Sequence, residues 1–381
     1  MKRLALSLGL ALAVVGFSGG IARAMPPFAQ AYGVKCELCH TQVPQLNAYG
    51  RYVQRSGYAS LDPHVLRTAF PIWVGEQLNY DSSVGNAGGS YKPQGGNLAI
   101  HAVGAIGNDI TYHFQQWIWE DNGAGDLDTF WVAYNNLLHR DGHLFAGLIE
   151  APGPSAYSQW ADIAPFAPPE ITVGEHVYQE DGNRWGAKLN YVKGDVDVEA
   201  GWLYANNGWS GFSNWANTDK TFQYKVAYAS ATNPFEIGLL GSRGSVPVST
   251  GVDQYYTVGG YAQRDPTGYI PGALVLFQSG YDANPGADPN TGLSLGQAFS
   301  NGWTTELYDT FFKGRLFLSA REEWTQDGLG TFTNYGNVNA SIVLAKYLRF
   351  YVQESMQNGQ TPTWQYFLWL TTPVTKGPNG W

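Results

Sequence analysis

Along most of this chain apolar and polar residues alternate with a period of two, the signature of strands with one apolar and one polar face. From Arg184 to Tyr191, the residues Trp185, Ala187, Leu189 and Tyr191 share one side, opposite Gly186, Lys188 and Asn190. After the turn Lys193-Gly194-Asp195, the residues Val196, Val198, Ala200, Trp202 and Tyr204 line one face, with Asp197 and Glu199 on the other. Phe222, Tyr224, Val226 and Tyr228 oppose Gln223 and Lys225 in the same way. Val338, Ala340, Ile342 and Leu344 oppose Asn337, Asn339 and Ser341, and Leu348, Phe350 and Val352 oppose Arg349 and Gln353.

The pattern predicts strands near 71–80, 96–106, 109–120, 127–137, 143–150, 184–192, 196–206 and 221–230. Further strands fall near 235–244, 254–264, 269–282, 302–312, 315–326, 335–345, 347–357 and 364–374. The connections are sorted by length. Those near 107–108, 193–195, 231–234, 313–314 and 346 are short, and those at 81–95, 151–183, 207–220, 283–301 and 358–363 are longer. A soluble sandwich has no reason to sort its loops, whereas outer-membrane barrels pair short periplasmic turns with longer outer loops. The expected fold is therefore all-β: a transmembrane outer-membrane β-barrel of about 16 antiparallel strands, with both termini in the periplasm.

Composition agrees. Charged residues make up 14% of the chain, against ~25% in ordinary soluble domains. Glycine (47 residues) and aromatics (15%) are abundant. No later segment has the ~18 apolar residues a membrane helix needs. The net charge of −9 argues against nucleic acid as a partner. Met1-Lys2-Arg3, an apolar run from Leu4 to Phe17 and the small residues of Ala22-Arg23-Ala24 read as a signal peptide over 1–24. The expected divisions are 1–24 signal peptide, 25–70 a haem-bearing segment and 71–381 the barrel.

Both cysteines of the chain fall in Cys36-Glu37-Leu38-Cys39-His40. C-x-x-C-H is the attachment pattern of a c-type haem, in which two thiols bind the porphyrin vinyl groups and the adjacent imidazole reaches the iron. A thioredoxin-like pair usually accompanies a βαβ pattern, which is missing, and a cysteine-rich zinc site needs more cysteines. A simple disulfide remains the bland alternative. The expected site is one covalently attached haem c on Cys36 and Cys39, with His40 as the iron ligand. Residues 25–70 are too few to build a substantial core alone. They are expected to form a small α-helical plug that uses the haem and the barrel wall as its core, with Leu46, Tyr49 and Val53 on one helical face.

The N-terminal block resembles the fused monohaem cytochrome–porins of the outer membrane, whose best-known members are proposed iron oxidases. The resemblance rests on Pro26-Pro27-Phe28-Ala29-Gln30, the haem motif with Thr41, Pro44-Gln45-Leu46, and Tyr49-Gly50-Arg51 through Ser56-Gly57-Tyr58. Over the barrel it is a likeness of architecture. It implies a single haem in or under the barrel that passes electrons across the outer membrane. It carries over to Cys36, Cys39 and His40 only.

Other groups are weighed on strand parity. His101 and His113 face inward on neighbouring strands and are candidate distal haem ligands, although lumen-wall histidines bonded to water explain them as well. Met25 and His64 are further candidates, His176 is an outside one, and Met356 faces outward. His139 and His143 fall at a short turn and read as surface residues. Lys188, Glu199, Arg315, Arg321 and Glu323 are assigned to the lumen, with Trp117 and Trp119 as lumen aromatics that relay electrons. The proline-rich connection after Ala151 is long enough to be functional, as an inward lid or as a cover for the outer mouth. Its carboxylates Asp162, Glu170 and Glu175 suit a hard cation such as Fe(II), and solvated loop charge suits them equally. No hydrolytic motif stands out. The expected function is electron transfer from an extracellular donor, Fe(II) in the first instance, to a periplasmic electron-carrier cytochrome. The alternatives are outward transfer to an extracellular acceptor, and a diffusion porin with a haem-bearing plug or sensor.

Overall fold

The computed structural model describes residues 31–42, 45–69, 72–81, 92–120, 123–125, 127–154, 171–173, 176–178, 183–204, 220–248, 251–283, 298–326, 330–345, 348–358 and 360–373. The expected signal peptide over 1–24, Met25, Pro26 to Gln30, Asp162, Glu170 and Glu175 lie outside them.

Period-two patterning becomes a closed antiparallel barrel. Its strands are β1 (Ile72–Asp81), β2 (Lys92–Ile106), β3 (Ile110–Glu120), β4 (Leu127–Leu137), β5 (Gly142–Glu150), β6 (Asn183–Lys193), β7 (Val196–Tyr204) and β8 (Lys220–Ala229). They continue as β9 (Phe235–Val248), β10 (Gly251–Arg264), β11 (Gly272–Asp282), β12 (Ala298–Phe311), β13 (Leu316–Gln326), β14 (Phe332–Ala345), β15 (Leu348–Gln357) and β16 (Thr363–Pro373). Each pairs with its chain neighbours, and β16 closes on β1 through Leu368 opposite Leu78. Closure leaves no strand edge, the condition for a sheet in a lipid environment.

The two faces differ as the alternation requires. Trp202, Val226, Leu239 and Val338 project outward and are exposed, while Gln223, Lys225, Glu199 and Asn339 face inward and are buried. Short turns gather at one end, among them 107–109, 194–195 and 312–315, and the longer connections at the other. One expected connection is much shorter than the pattern suggests. Residues 245–248 and 251–253 continue the ladder, with Val248 opposite Gly251. Pro247 and the neighbouring serines suggest a loop, but cross-strand pairing overrides local propensity there.

Two parity assignments change for a local reason. Leu98 pairs with Trp119 but Ala99 with Trp117, so Ile118 is the extra residue of a bulge. A bulge re-aims the side chains beyond it. Trp117 accordingly faces inward and is buried, whereas Trp119 is exposed and is not a lumen residue. Arg315 stands in the turn before β13, half-buried, rather than on the wall.

The N-terminal segment carries a 3-10 turn (Cys36–Leu38), a short strand pair between His40–Gln42 and Gln45–Leu46, and the helices α1 (Ala48–Arg55) and α2 (Pro63–Ala69). Val53, Tyr58 and Leu66 share one apolar cluster with the wall residues Val103, Trp131 and Phe145. The plug therefore has no separate core: it completes one with the barrel.

Candidate functional site

Asn47 ties the C-x-x-C-H sequence to the helix that follows it. Its backbone N–H donates to the Cys39 carbonyl at 3.0 Å. Its Nδ2 donates to the carbonyls of Glu37 and Leu38, each at 3.1 Å. Its Oδ1 accepts from Gly50 N–H at 3.0 Å and so caps α1. An asparagine at this position satisfies an otherwise unpaired helix donor. Here it also fixes the turn to the helix. Gly50 lets the two approach, since a Cβ there would lie 2.0 Å from the Cys39 oxygen.

Around the motif the residues fit a c-type haem. Cys39 carries a thiol and is half-buried, as is His40. The 3-10 turn sets positions 36 and 39 one turn apart. Leu38 and Val34 are exposed apolar side chains beside it, 45% and 36% accessible, and give a macrocycle an apolar surface. Tyr49 lies close enough to interact with Cys39; burial first, and then that thiol, push its phenol above the ordinary range.

Downstream of the motif, α1 enters the short-turn end of the barrel. Arg51 donates from Nε to Glu236 at 3.1 Å, and from Nη1 to Asp265 at 2.7 Å and to the Leu46 carbonyl at 2.9 Å. The same Asp265 accepts from Ala48 N–H at 2.7 Å. One turn on, Arg55 meets Asp197 at 3.3 Å and Glu236 at 3.2 Å. Lys225 joins Asp197, at 2.8 Å, to Glu199, and Lys188 closes the chain on Glu199 at 2.7 Å. All these groups are buried. Burial alone would lower the Arg51 guanidinium, but Asp265 and Glu236 outweigh it and hold it above its usual range. The helical face expected from Leu46, Tyr49 and Val53 is therefore not the deepest one. Leu46 and Tyr49 are half-buried, and the arginine face goes in furthest because the wall it meets is acidic.

Beyond α1, Gly57 and Tyr58 turn through positive φ, 56° and 63°. The Gly57 carbonyl accepts from Thr111, and a Cβ on Gly57 would lie 3.0 Å from both Asn135 and Phe145. Tyr58 reaches the His113 Nδ1 at 3.2 Å and packs on Trp131 with ring centres 5.2 Å apart. His101 and His113 do face inward as diagonal neighbours, with Val103 opposite His113 and His101 opposite Gln115. They stand, however, at the far end of α1 from Gly50 and the Cys39 carbonyl, a helix of roughly 12 Å. His64 is exposed on α2, and Met356 is exposed outside. His143 corrects an expectation. It is not a surface residue but is 2% exposed and bonded to Asn135 at 3.1 Å. The strand starts at Gly142, so His143 already points inward, under the plug.

At the end of α1 a small pocket opens between Tyr58, His113, Trp131 and the wall residues Lys188 and Glu199. The buried His113 Nε2, Gln54 Oε1 and Asn190 Oδ1, without hydrogen-bond partners among the described residues, belong to its lining. Polar atoms in such a space suit ordered water. Within the long connection after β5, Ile171–Val173, paired with His176–Tyr178, lies against β11 and β12.

Asn47, Arg51, Arg55, Glu236 and Asp265 are site residues that strand parity and the haem motif did not single out. The available signal was two arginines one turn apart in a chain poor in charge.

No family model matches the sequence, and neither does any curated protein. Solved structures do resemble the fold. An anion-selective porin from Comamonas acidovorans aligns with TM-score 0.55 and 10% identity, over 80% of this chain and 98% of that one. OmpT of Vibrio cholerae lacking loop L8 aligns with TM-score 0.53 and 12% identity, over 80% and 100%. OmpF of Salmonella typhi, in a complex with daunomycin, gives 0.52 and 12% over 80% and 97%. The fold is thus that of the outer-membrane porins.

Proposed function

We propose that this protein carries electrons across the outer membrane through one haem c, tethered by Cys36 and Cys39 and ligated by His40, in the plug of a porin-like barrel. It takes them from an extracellular donor, Fe(II) in our reading, and gives them to a periplasmic cytochrome. Both chain ends then lie in the periplasm, and the short-turn end that holds the plug faces it. The observation that carries this reading is the seating of the C-x-x-C-H turn on a helix buried in the barrel mouth.

When bound, the haem supplies a one-electron centre. The chain's own residues do the rest. Asn47 fixes the backbone of the attachment turn, Gly50 brings it against α1, and Leu38 and Val34 offer apolar surface beside it. The plug and wall keep solutes from bypassing the site. A diffusion porin with a haem-bearing plug uses the same scaffold, and small-solute flux in liposomes separates it from electron transfer. Outward transfer uses the same parts, and the haem potential separates the two directions.

The test is chemical. Protein extracted with acidic acetone should keep a c-type spectrum, and Cys36→Ser or Cys39→Ser should lower the retained haem. In proteoliposomes, Fe(II) on the long-loop side should reduce a cytochrome enclosed on the other side. Haem that extracts freely from the unmutated protein would remove the central claim.

A further inference from the structure

Among the described residues, the buried charge on the barrel wall is unbalanced without the plug. Among the described residues, seven carboxylates of the barrel and its turns are buried against five basic side chains. The plug contributes two buried charges, Arg51 and Arg55, and these bring the buried total to neutrality. They go where the excess lies: Asp265 and Glu236 meet Arg51, and Asp197 and Glu236 meet Arg55. The remaining bonds of that cluster are internal to the wall, Lys225 to Asp197 and Glu199, and Lys188 to Glu199.

We propose that the barrel is a latent cation-selective pore, held shut by the plug with Arg51 and Arg55 as its lock. This goes beyond electron transfer and stands on the plug geometry alone, whether or not haem is bound. A sixteen-stranded barrel is wide enough for an aqueous channel once its filling leaves. Rings of carboxylates favour cations in such a channel, and the wall that loses the two arginines keeps an excess of them. Removing one partner of a buried ion pair strands the other, so withdrawal of the plug is strongly opposed until the cluster is hydrated. The lock is therefore firm in the resting protein and sensitive to the sign of two side chains.

The experiment uses full-length protein in planar lipid bilayers under a potassium chloride gradient. Unmodified protein should be silent or conduct only in rare bursts. The Arg51→Glu/Arg55→Glu variant should show stepwise currents, with a reversal potential of the sign set by potassium. Adding Glu236→Gln and Asp197→Asn to that variant should move the reversal potential toward zero. Heat-modifiable gel migration reports whether each barrel is folded. A folded double-glutamate variant that stays silent overturns the proposal, and so does an anion-selective current. Steady conductance of the unmodified protein, equal to that of the variant, overturns it as well. Should the variant not assemble, unmodified protein in stepwise urea decides: cation-selective currents should precede loss of the folded barrel band, and unfolding without them refutes the lock.

Discussion

Replacing Arg51 by Met should release the plug from the wall while the barrel stays intact. Methionine fills the volume of the arginine stem but leaves Glu236 and Asp265 facing it without its charge. Breaking a buried pair by removing one partner costs about 3–5 kcal/mol. The lower end applies here. Glu236 keeps Arg55 at 3.2 Å and the Tyr261 hydroxyl at 2.7 Å, and Asp265 keeps Ala48 N–H at 2.7 Å. A loss of about 3 kcal/mol lowers the free energy of plug opening and speeds exchange through it roughly a hundredfold. The assay is amide hydrogen exchange of residues 47–58 in lipid-embedded protein, with the barrel strands as internal reference. Arg51→Lys keeps the charge, yet one ammonium cannot serve two carboxylates and the Leu46 carbonyl together. It should lose about 1–2 kcal/mol. Exchange in Arg51→Met within twofold of the unmutated protein would refute the view that these ion pairs seat the plug. Equal acceleration in plug and barrel would refute the view that the plug opens as a separate unit.

Asn47→Ala should cost about 1–2 kcal/mol as a lost cap and lower the yield of haem-bearing protein, read by pyridine haemochrome spectra. Gly50→Ala should reduce haem yield further despite its better helix propensity, because the added methyl meets the Cys39 carbonyl; an unchanged yield contradicts the packing described. His113→Ala should leave the haem spectrum unaltered, since His113 sits at the other end of α1, but should weaken the Tyr58 contact by about 1 kcal/mol in the same exchange assay. A tag after Gly194 should be hidden from antibody on intact cells and one at Asn290 reachable; the reverse pattern would invert the barrel.

The sequence by itself determined the barrel, because a strand's two faces are written residue by residue. Lys188 and Asn190 face inward and Leu189 outward with no reference to anything distant. The C-x-x-C-H spacing was equally legible as a pattern, since it lies within five residues. What only the tertiary structure decided involves residues far apart in the chain. Arg51 and Asp265 are separated by more than two hundred positions, and nothing local pairs them. His143 looks like a turn residue until the plug covers it, and Trp119 looks inward until the bulge at Ile118 turns it out. The depth of the plug was hidden for the same reason. A helix with two arginines on one face reads as a solvated helix, and it becomes a buried one only against a wall whose carboxylates come from β7, β9 and the turn after β10. Periodicity records what each residue faces, whereas closure of the barrel fixes which charges meet across its lumen.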